Sequence, residues 1–167
     1  DGTLAPIVAD RDSAQLRPET SALLDDVARR YPCAILSGRA HDDVAARLGG
    51  AKVAHVIGNH GIEPSPDMGS FAAAVDRARP MVLAATVAMA GVDVEDKRFS
   101  LAIHFRAAAD RAVAAEAIRE VVRGLPVPFR IVDGDCVVNA VPAGAPNKGD
   151  AMKRLVNEFR DYARLPA

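Results

Sequence analysis

The spacing of apolar residues changes its period twice along this chain. In residues 18–31, PETSALLDDVARRY, Leu23, Leu24, Val27, Ala28 and Tyr31 recur at helical intervals, and Pro18 suits a first helical turn. CAIL at 33–36 is a short apolar run that ends at Ser37-Gly38-Arg39. HDDVAARLGG then reads as a helix with acids in its first turn and glycines just past its end. VAHVIG at 53–58 is a second strand. Helix, strand, helix, strand predicts a parallel sheet with helices packed on it.

From about Gly69 the pattern is different. FAAAVDRARPMVLAATVAMA predicts a helix that breaks or restarts near Pro80. VDVEDKRFSLAIHFR at 92–106 alternates at both ends, and its polar interruption at Asp96 to Arg98 marks a turn. Residues 109–123 form an amphipathic helix, and FRIVDGDCVVNAV predicts two strands joined at Asp133-Gly134. After Pro142 the chain returns to a helix, with Met152, Leu155, Val156, Phe159 and Ala163 as its buried stripe. The expected organisation is an α/β parallel core at 1–67, an inserted α+β layer at 68–141, and a return to the core at 142–167.

Composition narrows the class. Among 167 residues, Lys plus Arg is 21 and Asp plus Glu is 22, which argues against a nucleic-acid partner. No run approaches the roughly 20 apolar residues of a membrane span, so no membrane partner is expected either. Cys33 and Cys136, the only cysteines, sit in apolar strand-like runs and read as small buried hydrophobes. A reducing cytoplasm is the simplest home.

Three short pieces suit phosphate chemistry. Asp1-Gly2-Thr3 opens the chain, and Asp-Gly by itself is an ordinary turn dipeptide. Ser37-Gly38-Arg39 ends an apolar strand, where a hydroxyl and backbone N–H groups suit an anion. Asn147-Lys148-Gly149 opens the last helix, where a lysine opposes the helix dipole and a bound anion would relieve the conflict. In that order, DGT, a strand ending in SGR and a late NKG resemble the haloacid dehalogenase phosphatases. GNHGIE at 58–63, EDKRFSLAIHFR at 95–106 and PAGAPNKGDAM at 142–152 narrow the resemblance to the trehalose-6-phosphate phosphatases, over nearly the whole chain.

The resemblance implies a Rossmann-like phosphatase core carrying an inserted cap, Mg2+ as cofactor, and a sugar phosphate as substrate, namely trehalose 6-phosphate hydrolysed through an aspartyl-phosphate. Asp1 would be the general acid and base, with its backbone carbonyl on the metal. Ser37, Gly38, Arg39 and Lys148 would hold the phosphoryl group. The nucleophilic Asp would lie two residues upstream of Asp1, and an acidic Gly-Asp-Asp motif would follow a further strand. The chain is therefore expected to be a fragment of the enzyme, inactive by itself. Another capped sugar phosphatase, or a non-catalytic module retaining a sugar site, are the alternatives.

The insert's own pattern agrees with a sugar site. Strand alternation puts Glu95 and Lys97 on one face, and Ser100, Ala102, His104 and Arg106 on one face of the next strand, with Leu101, Ile103 and Phe105 opposite. Pairing the strands gathers Glu95, Lys97, His104 and Arg106 on an open polar surface, where a solvated face with ion pairs is the ordinary alternative. Glu95, Lys97 and Arg106 are the expected sugar contacts, joined by His60, which follows a core strand and is equally suited to a structural turn, and by Asn139. The resembling family usually carries Glu where Asn139 stands, so this position offers the sugar a neutral amide. His41 and His55 read as structural or surface residues.

Overall fold

A computed structural model describes residues 3–8 and 13–162; Asp1 and Ala163 lie outside them, and nothing is described of the side chains of residues 161 and 162. The chain divides into two compact units, one made of residues 1–64 and 146–167, the other of residues 65–145 inserted between them.

In the first unit, helix α1 (Pro18–Arg30) leads to strand β1 (Ala34–Leu36), α2 (His41–Arg47) and β2 (His55–Ile57). The strands pair in parallel, Ala34 opposite His55 and Leu36 opposite Ile57. A short 3-10 turn at Asn59–Gly61 follows β2, and α5 (Lys148–Tyr162) closes the unit. Ile57, Ala151 and Leu155 form its buried cluster, with Leu36 and Phe159 packed against them. The buried face of α5 thus runs through Ala151, Leu155 and Phe159, while Met152 and Val156, expected inside, are exposed. The stripe on α1 also faces outward among the described residues: Leu23, Val27 and Tyr31 are exposed. Amphipathic spacing fixes that a helix forms, not what covers it.

The second unit contains α3 (Met68–Thr86), β3 (Asp93–Asp96), β4 (Leu101–His104), α4 (Arg111–Arg123), β5 (Phe129–Gly134) and β6 (Val137–Pro142). Its four strands are antiparallel in the order β3-β4-β6-β5. Leu101, Ile103, Phe105, Val138 and Ala140 lie on one face of this sheet and pack with Val75, Ala78 and Val82 of α3 and Ala115, Ile118 and Val122 of α4. Asp110 caps α4, its carboxylate accepting from the backbone N–H groups of Ala112 and Val113, both at 3.0 Å.

The second unit departs from two local expectations. Helix α3 runs through Pro80 without a break. Val75 and Ala78 before the proline and Val82 after it are all wholly buried, so tertiary packing on both sides outweighs the lost backbone hydrogen bond. The hairpin turns at Asp135-Cys136, not at Asp133-Gly134, because Gly134 still pairs with Val137. Cys136 takes the left-handed conformation (φ 56°). Gly134 is needed for space: a Cβ there would sit 2.7 Å from Cγ1 of Val137.

Candidate functional site

The first unit brings three loops together at the carboxyl ends of its parallel strands. Beyond β1, Ser37 N–H donates to Ile57 O at 2.8 Å, extending the ladder by one residue. Ser37 Oγ accepts from Arg39 N at 3.1 Å, which leaves its own proton available to a ligand. The turn after β2 is tied to the same loop: His60 N donates to Ser37 O at 2.9 Å and Asn59 N to Arg39 O at 2.6 Å. Both Asn59 (φ 51°) and His60 (φ 60°) are left-handed, the conformation that aims these two N–H groups at the Ser37 loop. His60 lies with its ring against Gly38, where a Cβ would be 2.7 Å from Cε1, so only glycine admits this ring.

The third loop is the start of α5. Asn147 Oδ1 accepts from Gly149 N at 2.8 Å and Asp150 N at 3.1 Å, and Asp150 Oδ2 accepts from Asn147 N at 3.1 Å. This reciprocal cap sets Lys148 as the first residue of the helix. Gly61 (φ 115°) lets the β2 turn sit directly on this cap, since a Cβ there would be 2.5 Å from Asn147 O. A cavity of about 410 Å³ results, lined by Thr3, Ser37, Gly38, Arg39 and Lys148 on its polar side and by apolar residues including Leu36. Ser37 and Lys148, far apart in sequence, therefore share one concave site.

Glu63 and Asp43 brace this corner, and neither was legible as a site residue. Glu63 Oε2 accepts from His41 N at 2.8 Å, capping α2 across 22 residues. Asp43 accepts from Arg39 Nη1 at 3.0 Å and pairs with Arg47 Nη2 at 2.9 Å, while Arg47 Nη1 reaches Ala14 O at 2.9 Å. Burial by itself would raise the Asp43 carboxyl; the hydrogen bonds and charges of Arg39 and Arg47 outweigh it and hold the group below its usual value. The Arg39 guanidinium is thus engaged by α2.

The second unit carries the other expected contacts. Glu95 stands opposite Ala102, and Ala102 opposite Asn139, so one row crosses one face of the sheet. His104 Nε2 meets Glu95 Oε2 at 2.9 Å and Lys97 Nζ approaches the same oxygen at 3.9 Å. The surface is less open than its alternation implies: the side chains of Lys97, His104 and Glu95 are 12%, 26% and 29% exposed. Asn139 is buried and donates from Nδ2 to Val132 O at 3.0 Å. Arg106, expected beside Glu95, pairs elsewhere: its Nη2 donates to Asp135 Oδ2 at 2.7 Å at the β5–β6 turn, and the hydrogen bond and charge of Arg106 hold the Asp135 carboxyl below its usual value. Among the described residues no three His, Cys, Asp or Glu side chains gather into a group that would hold a metal ion, and the expected metal contact, the carbonyl of Asp1, falls outside them.

The family model described as trehalose-phosphatase matches residues 1–164. The chain belongs to the trehalose-phosphatase family. A probable trehalose-phosphate phosphatase of Oryza sativa subsp. japonica is 30% identical over 172 residues, covering 95% of this chain and 46% of the relative. The trehalose-phosphate phosphatase of Mycobacterium avium is 32% identical over 169 residues, covering 96% of this chain and 43% of the relative. The chain thus spans a little under half the length of these trehalose-phosphatase relatives. Among solved structures, the C-terminal domain of the C. albicans trehalose-6-phosphate phosphatase superposes with a TM-score of 0.78 at 22% identity, covering 93% of this chain and 59% of that one. That likeness, with the parallel and antiparallel sheets, bears out the expected class: a haloacid dehalogenase-like α/β fold with an inserted α+β unit.

Proposed function

We propose that the protein to which this chain belongs hydrolyses trehalose 6-phosphate to trehalose and phosphate. The observation that carries the reading is the cavity shared by Ser37, Gly38 and Lys148 in a chain of the trehalose-phosphatase family. Ser37 O–H donates to one phosphoryl oxygen, and the Lys148 ammonium supplies charge to another from the first turn of α5. Their part in catalysis is positioning and neutralising charge that grows toward the transition state. Arg39 acts from its backbone side of the loop, since its guanidinium is held by Asp43. Asp1, by family likeness, donates the proton to the leaving sugar oxygen and then accepts one from water. Mg2+ belongs to this reading through the family, where it would neutralise charge on the phosphoryl group; the described residues do not themselves assemble its ligands.

Glu95, Lys97 and Asn139 read the sugar: a carboxylate accepts from hydroxyls, an ammonium donates to them, and the Asn139 amide, with Nδ2 committed to Val132 O, presents its carbonyl oxygen. His60 packs the phosphate loop, and its part is structural. No helix among the described residues is long and apolar enough to cross a membrane, and Cys33 and Cys136 are free thiols, which suits a reducing cytoplasm. The neutral Asn139 favours a second reading, in which the sugar is a different phosphorylated disaccharide. Phosphate release by the full-length protein from trehalose 6-phosphate, sucrose 6-phosphate and a mannosyl phosphate decides between them. Trehalose 6-phosphate is expected to give the highest kcat/KM, and a clear preference for another sugar would replace the trehalose reading.

A further inference from the structure

Within the Glu95 group, one side chain has no assigned part in sugar reading. His104 stands opposite Asp93 on the β3–β4 ladder, so it reaches Glu95 along the cross-strand diagonal. The residue directly opposite Glu95 is Ala102, whose methyl group is too short to meet the carboxylate. His104 Nε2 closes to 2.9 Å of Glu95 Oε2. A carboxylate at neutral pH only accepts, so Nε2 carries the proton and donates. Lys97 lies at 3.9 Å from the same oxygen, a looser approach than the imidazole makes. A glutamate has three rotatable side-chain bonds, and ordering them at the moment of binding costs affinity. A donor that fixes the carboxylate beforehand removes that cost.

We propose that His104 is a positioning residue for sugar recognition, holding the Glu95 carboxylate in the orientation that accepts the substrate's hydroxyls. The proposal rests on the reading of Glu95 as a sugar contact and deepens it. Positioning of this kind acts through binding, so its loss raises KM and leaves kcat nearly unchanged. Replacing His104 has consequences only while Glu95 is present, because the imidazole acts through that carboxylate.

The test is a double-mutant cycle in the full-length protein, with His104→Ala, Glu95→Ala, the pair of them, and His104→Gln, whose amide keeps a donor. Each is assayed with trehalose 6-phosphate and with a small aryl phosphate that carries no sugar. His104→Ala is expected to raise KM for trehalose 6-phosphate about tenfold, as for loss of one hydrogen bond to a charged group. Turnover of the aryl phosphate falls far less, His104→Gln recovers most of the loss, and the double variant is no worse than Glu95→Ala. Losses that multiply in the double variant, an equal fall on both substrates, or a His104→Ala variant within twofold of the parent on the sugar substrate would each overturn the proposal. If the parent protein prefers another sugar phosphate, the trehalose reading fails, and the same cycle on the preferred substrate still decides the part played by His104.

Discussion

In the inserted unit, two helices press on one face of a four-stranded sheet, and Val75, Val82, Leu101, Ile103, Ile118 and Val138 are wholly buried. In the other unit, two parallel strands carry a smaller cluster of Ile57, Ala151 and Leu155, and the order of the candidate site comes from loops locked together through glycine and main-chain hydrogen bonds. One unit is held by a continuous core, the other's site by close backbone contacts. A core tolerates small changes of shape by repacking. A glycine whose added Cβ would lie 2.5 Å from a neighbouring backbone oxygen, as at Gly61, has no such slack.

The largest effect expected from breaking this contrast is in the insert's core. Ile118→Ala should cost about 2–5 kcal/mol, the usual range for emptying a well-packed aliphatic site. Urea denaturation followed by circular dichroism measures it, and a cost under about 1 kcal/mol would mean that the helix–sheet contact is loose. Next comes Gly61→Ala, where the new Cβ meets Asn147 O at 2.5 Å and the left-handed backbone strains any other residue. Its cost should be about 1–3 kcal/mol, and hydrogen exchange should rise in the β2 turn and the first turn of α5 while α4 keeps its protection. Equal loss of protection in both units would contradict their separate means of support.

The smallest effect is electrostatic. The folded-state pKa of Asp43 lies below its unfolded value, so its pairing with Arg39 and Arg47 stabilises the fold above the ordinary carboxylate pKa of about 3.9 and is lost as pH falls through the folded value. The Asp43 side chain is 38% exposed, so solvent screening limits the contribution to about 1 kcal/mol or less. Asp43→Asn should therefore be slightly less stable than the parent at pH 7, with the gap closing toward pH 3. A gap that widens as pH falls would reverse the sign and the argument.

The same contrast explains what the sequence disclosed. Alternation in 101–105 gave the core face of β4, since a one-residue slip would bury His104 and expose Ile103, although Ser100 and Ala102, expected on the open face, are wholly buried as well. Ser37-Gly38 and Lys148 were legible as chemistry because strand ends and helix starts have compositional marks. The left-handed His60 and the reach of Glu63 to His41 N were not, since each depends on how separate segments meet, while Glu95 and His104 were legible as neighbours on one polar face though not as a bonded pair. Pro80 and Asp133-Gly134 misled for a related reason. At Pro80 a local break propensity opposes a strongly buried tertiary pattern and the pattern prevails, whereas at the exposed Asp133-Gly134 it is the ladder to β6 that carries the strand past the local turn signal. Exposure of Leu23, Val27 and Tyr31 shows the converse: spacing alone marks a helix face without naming its cover.

In the proposed function the first unit reads phosphate and the insert reads sugar. That division is tested most directly by kcat/KM for trehalose 6-phosphate and for an aryl phosphate in the full-length protein, comparing Lys148→Ala with Glu95→Ala. Loss of the Lys148 ammonium should lower both substrates by roughly 10²–10³, since both present the same phosphoryl group. Loss of the Glu95 carboxylate should lower trehalose 6-phosphate by about ten- to a hundredfold and the aryl phosphate far less. If Lys148→Ala spares the aryl phosphate, or Glu95→Ala depresses both substrates alike, the division of labour between the two units is wrong.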